Sequence, residues 1–310
     1  MTGTVTISVE LELGWGMHDK GEFSHLSNDR SAEDTALSRL LDVCDSKDVP
    51  ITFDVVGHLF HETCDGTHDG PYDELWWSND PGKSVSEDPL FYAPDMLESI
   101  RSRRTPHEIC THTYSHILGR EASDELLHHE LDAVDSLHEE WDLPASTSIV
   151  MPRHQDVDYS VLSDHGIDVI RRPIADYGRT DSNPASKFWW LLTRDHPECT
   201  LEVTEGVVET TCTPHPSLAS TTLPTGRRPP APFFRPLPNR LREYLHRKYL
   251  LDALRTAADG NHVHLWTHLY NIANPHQFRA IEPVFGRLAE LRNRGEVEIR
   301  RMCDLPEVVA

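Results

Sequence analysis

The chain has 310 residues, 38% of them hydrophobic and 26% charged, and its 51 Asp and Glu against 29 Lys and Arg give a formal charge of −22. That length suits one large α/β domain or two smaller ones, and an acidic coat spread along the whole chain argues against nucleic acid and anionic membranes as partners. Five lysines against 24 arginines complete a halophile-type balance, like that of proteins from organisms with molar salt in the cytoplasm, where the Debye length falls to roughly 3 Å.

Met1-Thr-Gly-Thr runs directly into a strand, with no basic region followed by an apolar run, and no stretch approaches the roughly 20 apolar residues of a membrane span. The expectation is a cytoplasmic protein without a membrane span. Val5 to Leu13 is β-rich and stops at Gly14-Trp-Gly16; Glu10 and Glu12 share one side of this strand because side chains alternate with period two. Ser31 is placed to cap a helix to about Asp45, and Ile51 to Val56 reads as a second strand. The Gly-, Pro-, Asp- and Trp-rich segment from about 62 to 94 is too long for a turn and reads as an ordered insertion or lid.

A helix from Asp95 to about Arg103 precedes a short strand ending at Cys110 to His112. Ser123 to Trp141 is helical, Ile149 to Met151 a strand, Tyr159 to His165 a helix and Ile167 to Ile170 a strand. The region from about 175 to 238, with many prolines, Phe188-Trp-Trp190 and Phe233-Phe234, reads as irregular substrate-side loops with one strand at Gly206 to Thr211. Arg242 to Ala258 and Phe278 to Arg294 are helices, and His262 to Thr267 and Val297 to Arg300 strands. Alternating strand and helix with long crossovers predict a parallel α/β fold in a single domain, 1–310. Six cysteines (Cys44, Cys64, Cys110, Cys199, Cys212, Cys303) without a Cys-x-x-Cys pair read as reduced core or strand residues rather than as a disulfide frame or a Cys-type zinc site.

His112-Thr-Tyr-Ser-His116 carries the most chemistry. Two imidazoles four apart, just after a strand, can grip one metal ion from one side of a turn or helix start. Glu10, Glu12, Arg153 and His268 also fall at the carboxyl ends of separate predicted strands, where parallel α/β folds gather their chemistry.

The stretches Ser8-Val-Glu-Leu-Glu-Leu-Gly-Trp-Gly16, Ile51-Thr-Phe-Asp-Val-Val-Gly57, His112-Thr-Tyr-Ser-His116, Met151-Pro-Arg-His154 and His264-Leu-Trp-Thr-His268 resemble, in order, the motifs of the polysaccharide deacetylases of carbohydrate esterase family 4. This is the NodB-homology domain, and the likeness is closest to intracellular members of sugar-assembly systems. The resemblance implies a distorted (β/α)7-type barrel and metal-dependent removal of an acetyl group from the amide of an N-acetylated amino sugar. The substrate would be a nucleotide- or lipid-linked precursor or an oligosaccharide. It implies Glu12, His112 and His116 as ligands of a divalent metal, zinc first with cobalt or nickel as alternatives. Glu10 would be the general base, Arg153 the cation that orients it, and His268 the general acid; Trp15 and Trp266 would meet the sugar, and the Tyr114 backbone N–H the oxyanion.

The chain departs from the family at Glu10, where the motif has aspartate, which leaves open an exchange of roles between Glu10 and Glu12. Asp54, His58, His264 and Asn271 are expected either to support the site from behind its ligands or to be merely buried and hydrogen-bonded, and His264 is the alternative to His268 as acid. Two rival functions stand beside the deacetylase: a degenerate NodB-like glycan-binding protein, and a hydrolase of another C–N amide bond such as a formyl-sugar or ureide. The sequence leaves the oligomeric state open.

Overall fold

The computed structural model describes every residue except 1, 120–121, 176, 178–185, 187–188 and 191–192, so Phe188 lies outside the described residues. Seven parallel strands form the staves of a barrel: β1 (Gly3–Leu11), β2 (Thr52–Val55), β3 (Glu108–Thr111), β4 (Ser148–Val150), β5 (Val169–Pro173), β7 (Val207–Cys212) and β8 (His262–His268). β6 (Leu201–Thr204) lies antiparallel on β7, and β9 (Val297–Ile299) pairs with Gly3–Val5 at the start of β1. The sheet order is β6-β7-β5-β4-β3-β2-β1-β8, and the ring closes across β7 and β8 by other means. There the Thr210 hydroxyl meets both His262 Nε2 and His264 Nδ1 at 3.0 Å, and an isolated bridge joins Cys199 to His262. This is the distorted (β/α)7-type barrel that the motifs implied.

β1 shows why the sequence folds this way. Val5, Ile7, Val9 and Leu11 point outward into a core shared with the helices, and Thr6, Ser8 and Glu10 point inward; both faces are buried. The outer layer is α1 (Ser31–Lys47), α2 (Pro94–Arg101), α3 (Asp124–Glu140), α4 (Tyr159–Asp164), α5 (Asn239–Ala258), α6 (Leu269–Ile272), α7 (Pro275–Asn293) and α8 (Pro306–Val309). Ser123 caps α3 as its side-chain oxygen accepts from Leu126 N–H. Ser31 does not cap α1 but is its first residue: the Ser27 hydroxyl accepts from Ala32 N–H, and Glu33 reaches back to Ser27 N–H, a reciprocal cap displaced upstream.

The barrel interior is polar and layered. At the amino end Glu108 accepts from the Thr52 hydroxyl (2.6 Å), the Ser148 hydroxyl and the Cys303 N–H (3.1 Å), so the 3-10 turn Met302–Asp304 plugs the barrel. The next layer holds Ser8, Asp54, Cys110, Arg171, Thr210 and His264, and above it the carboxyl end opens on Glu10 and His268. Two sequence boundaries shift: the strand expected to stop at Ile170 runs to Pro173, and β6 lies in what reads as irregular sequence. Among the described residues no helix is long and apolar enough to cross a membrane.

Several histidines are packed away from the barrel mouth. His107 accepts from Ile51 N–H through Nδ1 at 3.3 Å, His196 donates to the Pro197 carbonyl at 2.7 Å, and His246 donates to the Leu218 carbonyl at 3.0 Å. Burial holds each at about 4, below the usual imidazole value of 6.5. The unfolded chain therefore binds protons the native state refuses, and stability present above pH 6.5 is lost as pH falls toward about 4. Asp34, Asp54 and Glu130, raised by burial, and His112 and His268, raised by the neighbouring glutamates, act in the opposite sense but are fewer than the lowered histidines. The melting temperature at constant salt should fall steadily from pH 7.5 to 5; an unchanged one would contradict this account.

Candidate active site

Register brings the acids together. Glu10 lies opposite Asp54 of β2 on one side and His268 of β8 on the other. Glu12 follows, and the chain turns at Leu13 (φ 43°) into a 3-10 turn, Leu13–Lys20, that folds back over it. A Cβ on Gly16 would lie 2.3 Å from the Glu12 carboxyl carbon, so a side chain there would push the Glu12 carboxylate out of its place.

The paired histidines occupy a strained loop rather than a helix start. Thr113 and His116 have φ of 61° and 63°, a conformation costly for residues with a Cβ. The loop is pinned from within and below: Thr113 N–H donates to the Thr111 hydroxyl (2.9 Å), Ile117 N–H to the Thr113 hydroxyl (3.1 Å), and Ser115 N–H to Glu130 (2.7 Å). Glu130, buried on α3, also accepts from the Ser115 hydroxyl (2.5 Å) and the Tyr72 hydroxyl (2.6 Å). His112 Nδ1 donates to the Val150 carbonyl at 2.6 Å, which fixes the tautomer and leaves Nε2 free. That Nε2 has no hydrogen-bond partner among the described residues and faces Glu12 Oε2 at 3.7 Å; His116 Nε2 lies 3.2 Å from the same oxygen. The three ligand atoms lie within 4.8 Å of one another.

The cation on Glu10 is Arg171, in the middle of β5. Its Nη2 donates to Glu10 Oε1, and its Nη1 to Asp54 Oδ2 (3.0 Å) and the Ser8 hydroxyl (2.6 Å); the guanidinium carbon stacks 4.5 Å from the Trp266 ring. Arg153, expected in that place, is a rim residue that donates to both oxygens of Asp19 (2.6 and 2.8 Å). Its backbone (φ 55°), like that of His154 (φ 53°), turns out of β4 over the barrel edge, which carries the side chain away from Glu10. Arg171 lies one residue past the strand that the sequence predicts at Ile167 to Ile170, and inside the observed β5. An arginine after the apolar Ile167-Asp-Val-Ile run, with Pro173 beyond, was the available signal.

His268 Nε2 is 2.9 Å from Glu10 and 3.5 Å from Glu12, and the Asn271 amide lies 3.2 Å from its Nδ1. His264 sits one layer down with both nitrogens engaged, at Thr210 and at the Ser8 hydroxyl (3.0 Å each), so His268 is the histidine that meets the acids. The tryptophans need correction. Trp15 is fully buried, donating to the Phe91 carbonyl (3.1 Å) and packed on His58, Trp77 and Phe91; Trp266 donates to the Thr213 carbonyl (2.7 Å) and supports Arg171. Neither offers a free face for a sugar, because each fills a gap between barrel and loops. Tyr114 directs its hydroxyl to His61 Nε2 (3.0 Å), and its carbonyl accepts from His58 N–H. His58 lies apart from the acids, with His68 and Asp80.

Three buried carboxylates, Glu10, Glu12 and Asp54, face one buried guanidinium, which pairs with Glu10 and Asp54 and leaves Glu12 to the imidazoles. Burial would lower the pKa of His268, yet Glu10 and Glu12 outweigh it and raise it to about 9; Glu12 raises His112 against the same opposition. Burial pushes Asp54 up to about 6 despite Arg171. The site attracts positive charge, and at His112 Nε2 it presents one acceptor to another across a gap that a proton or a metal ion must fill. Two imidazoles and a carboxylate are the donor set of hydrolytic zinc sites.

No protein-family model matches the sequence, and no curated protein matches it significantly. Among solved structures, the chain is similar to a protein from Mycobacterium smegmatis assigned as a polysaccharide deacetylase (TM-score 0.60, 17% identity, 99% of this chain and 89% of that one). A Pseudomonas aeruginosa PAO1 protein with the same assignment is also similar (0.56, 13%, 97% and 88%), as is the PuuE allantoinase (0.53, 12%, 97% and 88%). At these identities the likeness is one of fold.

Replacing Arg171 by Met should lower the unfolding free energy by about 3–5 kcal/mol, since it strands buried carboxylates. Arg153→Gln, at a partly exposed pair, should cost no more than about 1 kcal/mol. Urea unfolding of both variants checks this ordering; equal losses would contradict it.

Proposed function

We propose that this protein is a metal-dependent amidohydrolase that removes the acetyl group from an N-acetylated amino sugar. The reading rests on one observation: the convergence of Glu12, His112 and His116 on a common point, with Glu10 and His268 beside it. The resemblance of the five motifs supplies the substrate class. A divalent metal held by Glu12, His112 and His116, zinc by preference, would polarise the amide carbonyl and make bound water more acidic.

Glu10, held ionised and oriented by Arg171, takes a proton from the attacking water. Its longer side chain, in place of the family's aspartate, is accommodated by the fork between Arg171 and His268. His268 gives a proton to the leaving nitrogen, so amide and water become carboxylate and amine. Its Nε2 lies 2.9 Å from the Glu10 carboxylate, which favours the protonated imidazole an acid requires, and its side chain is 19% exposed, the most open member of the group. Arg153 and Asp19 form part of the rim over which a sugar would enter, and the backbone N–H of Tyr114 is the proposed oxyanion donor.

We assign the substrate to nucleotide- or lipid-linked precursors in a reducing, salt-rich cytoplasm. Six free cysteines and the acidic, lysine-poor composition support that setting.

Glu10→Gln should retain the metal and lose acetate release by about 100- to 10,000-fold, the usual contribution of a general base. His112→Ala should lose the metal of this site. Metal analysis and product mass spectrometry on acetylated and formylated amino sugars and a ureide test both. Simultaneous loss of metal in Glu10→Gln would make Glu10 a ligand. Metal retention by the native protein with no product from any substrate would replace hydrolysis by glycan binding.

A further inference from the structure

A second group of ligand-type side chains lies at the end of β2, in the fold of the insertion. His58 belongs to the short 3-10 turn Gly57–Phe60; Cys64, His68 and Asp80 come from the excursion that follows. We propose that these four residues form a second metal centre, a closed structural site for a divalent transition-metal ion of zinc's borderline softness. The inference goes beyond the hydrolase reading and shares no residue with its site.

The distances suit such an ion. Bonds of about 2.0 Å to nitrogen and 2.3 Å to sulfur set the edges of a tetrahedron at about 3.3–3.6 Å. Cys64 Sγ lies 3.4 Å from His68 Nε2 and 3.5 Å from Asp80 Oδ2, and His58 Nε2 lies 3.8 Å from Asp80 Oδ2. His68 and Asp80 meet at 2.5 Å, a hydrogen bond that a cation would replace. All four ligand atoms fall within 4.8 Å of one another.

An independent observation points the same way. His58 is fully buried, and its Nε2, aimed into the cluster, has no hydrogen-bond partner among the described residues. An imidazole nitrogen stranded in this way costs free energy unless something binds it. The surrounding groups hold the other ligands in place. Asp80 Oδ1 accepts from Gly82 N–H (3.1 Å) and the Tyr92 hydroxyl (3.2 Å), which leaves Oδ2 for the cluster. Gly66 N–H donates to Cys64 Sγ (3.2 Å), a bond that favours a thiolate, and Trp77 stacks on His68 with ring centres 3.7 Å apart. Two imidazoles, a thiolate and a carboxylate complete a tetrahedron with no open position, the pattern of structural rather than catalytic zinc. Binding releases the Cys64 thiol proton to solvent.

Such an ion would fasten the insertion to the barrel. Trp76 from the same excursion donates to the Ser115 hydroxyl (2.9 Å), inside the loop that carries His112 and His116. The centre therefore braces one wall of the candidate active site.

The native protein, purified in concentrated salt with zinc supplied, should hold two equivalents per chain. His112→Ala and Cys64→Ser should each retain one. Cobalt loading separates the sites, because only a cysteine ligand gives a thiolate-to-cobalt charge-transfer band. That band should appear in the native protein and in His112→Ala, and vanish in Cys64→Ser. Absence of the band in folded, cobalt-loaded native protein overturns the second centre whatever the activity. Its presence in an inactive protein leaves the centre standing and counts only against the hydrolase reading.

Discussion

The accumulation of negative charge at one end of the barrel governs the rest of the site. Glu10, Glu12 and Asp54 enter from adjacent inward positions of β1, its extension and β2, and all three are buried. Each buried ion costs several kcal/mol unless paired, far more than a typical hydrogen bond returns. Arg171 answers two of the three, 161 residues away from Glu10 in sequence. It is held by two carboxylates, the Ser8 hydroxyl and the face of Trp266. What remains uncompensated sits at Glu12, between two imidazoles. Protons on His112 and His268 can satisfy that charge, and so can a divalent cation; an apolar ligand or an anion cannot. The charge balance thus narrows what the site accepts before any substrate is considered.

Backbone strain serves the same end. Leu13, Thr113, His116, Arg153 and His154 all have positive φ, and all lie just beyond the carboxyl ends of β1, β3 and β4. Residues with a Cβ pay of order 1–2 kcal/mol for that conformation. They persist because the surroundings fix them: Glu130 beneath Ser115, the Val150 carbonyl beneath His112, and Gly16 folded over Glu12. Relaxing His116 to an ordinary conformation would swing its ring off Glu12 and dissolve the three-donor group. Rigidity here is built jointly by the motif's own Thr113 and Ser115 and by a buried acid on a helix.

This division explains what could be read from the chain. The strands of the barrel announce themselves through alternating or continuous β-branched runs, and Glu10, Glu12, His112 and His116 come together because register and a four-residue spacing are local properties. Arg153 and Arg171 are equally plausible as partners for Glu10 in one dimension. Which one reaches it depends on a strand extending past Ile170 and on how the chain leaves β4, both decided by tertiary contacts. Trp15 reads as a ligand platform beside two glycines, but the insertion closes over it and takes both faces. His58 has the same history: its neighbours His68 and Asp80 arrive through a fold of the insertion that no periodicity encodes.

Burial also decides how the site responds to salt. At molar ionic strength the Debye length is roughly 3 Å, so exposed pairs such as Arg255 with Asp252, or Arg300 with Glu298, lose most of their attraction, and the repulsion within a chain of charge −22 fades with them. Glu10, Asp54 and Arg171 exclude mobile ions and keep theirs. Concentrated salt therefore removes the surface's self-repulsion and leaves the interior's charge pattern intact. An acidic exterior and an acidic barrel mouth can coexist in one chain because they are screened so differently, and the boundary between them is the ring of loops that ends the parallel strands.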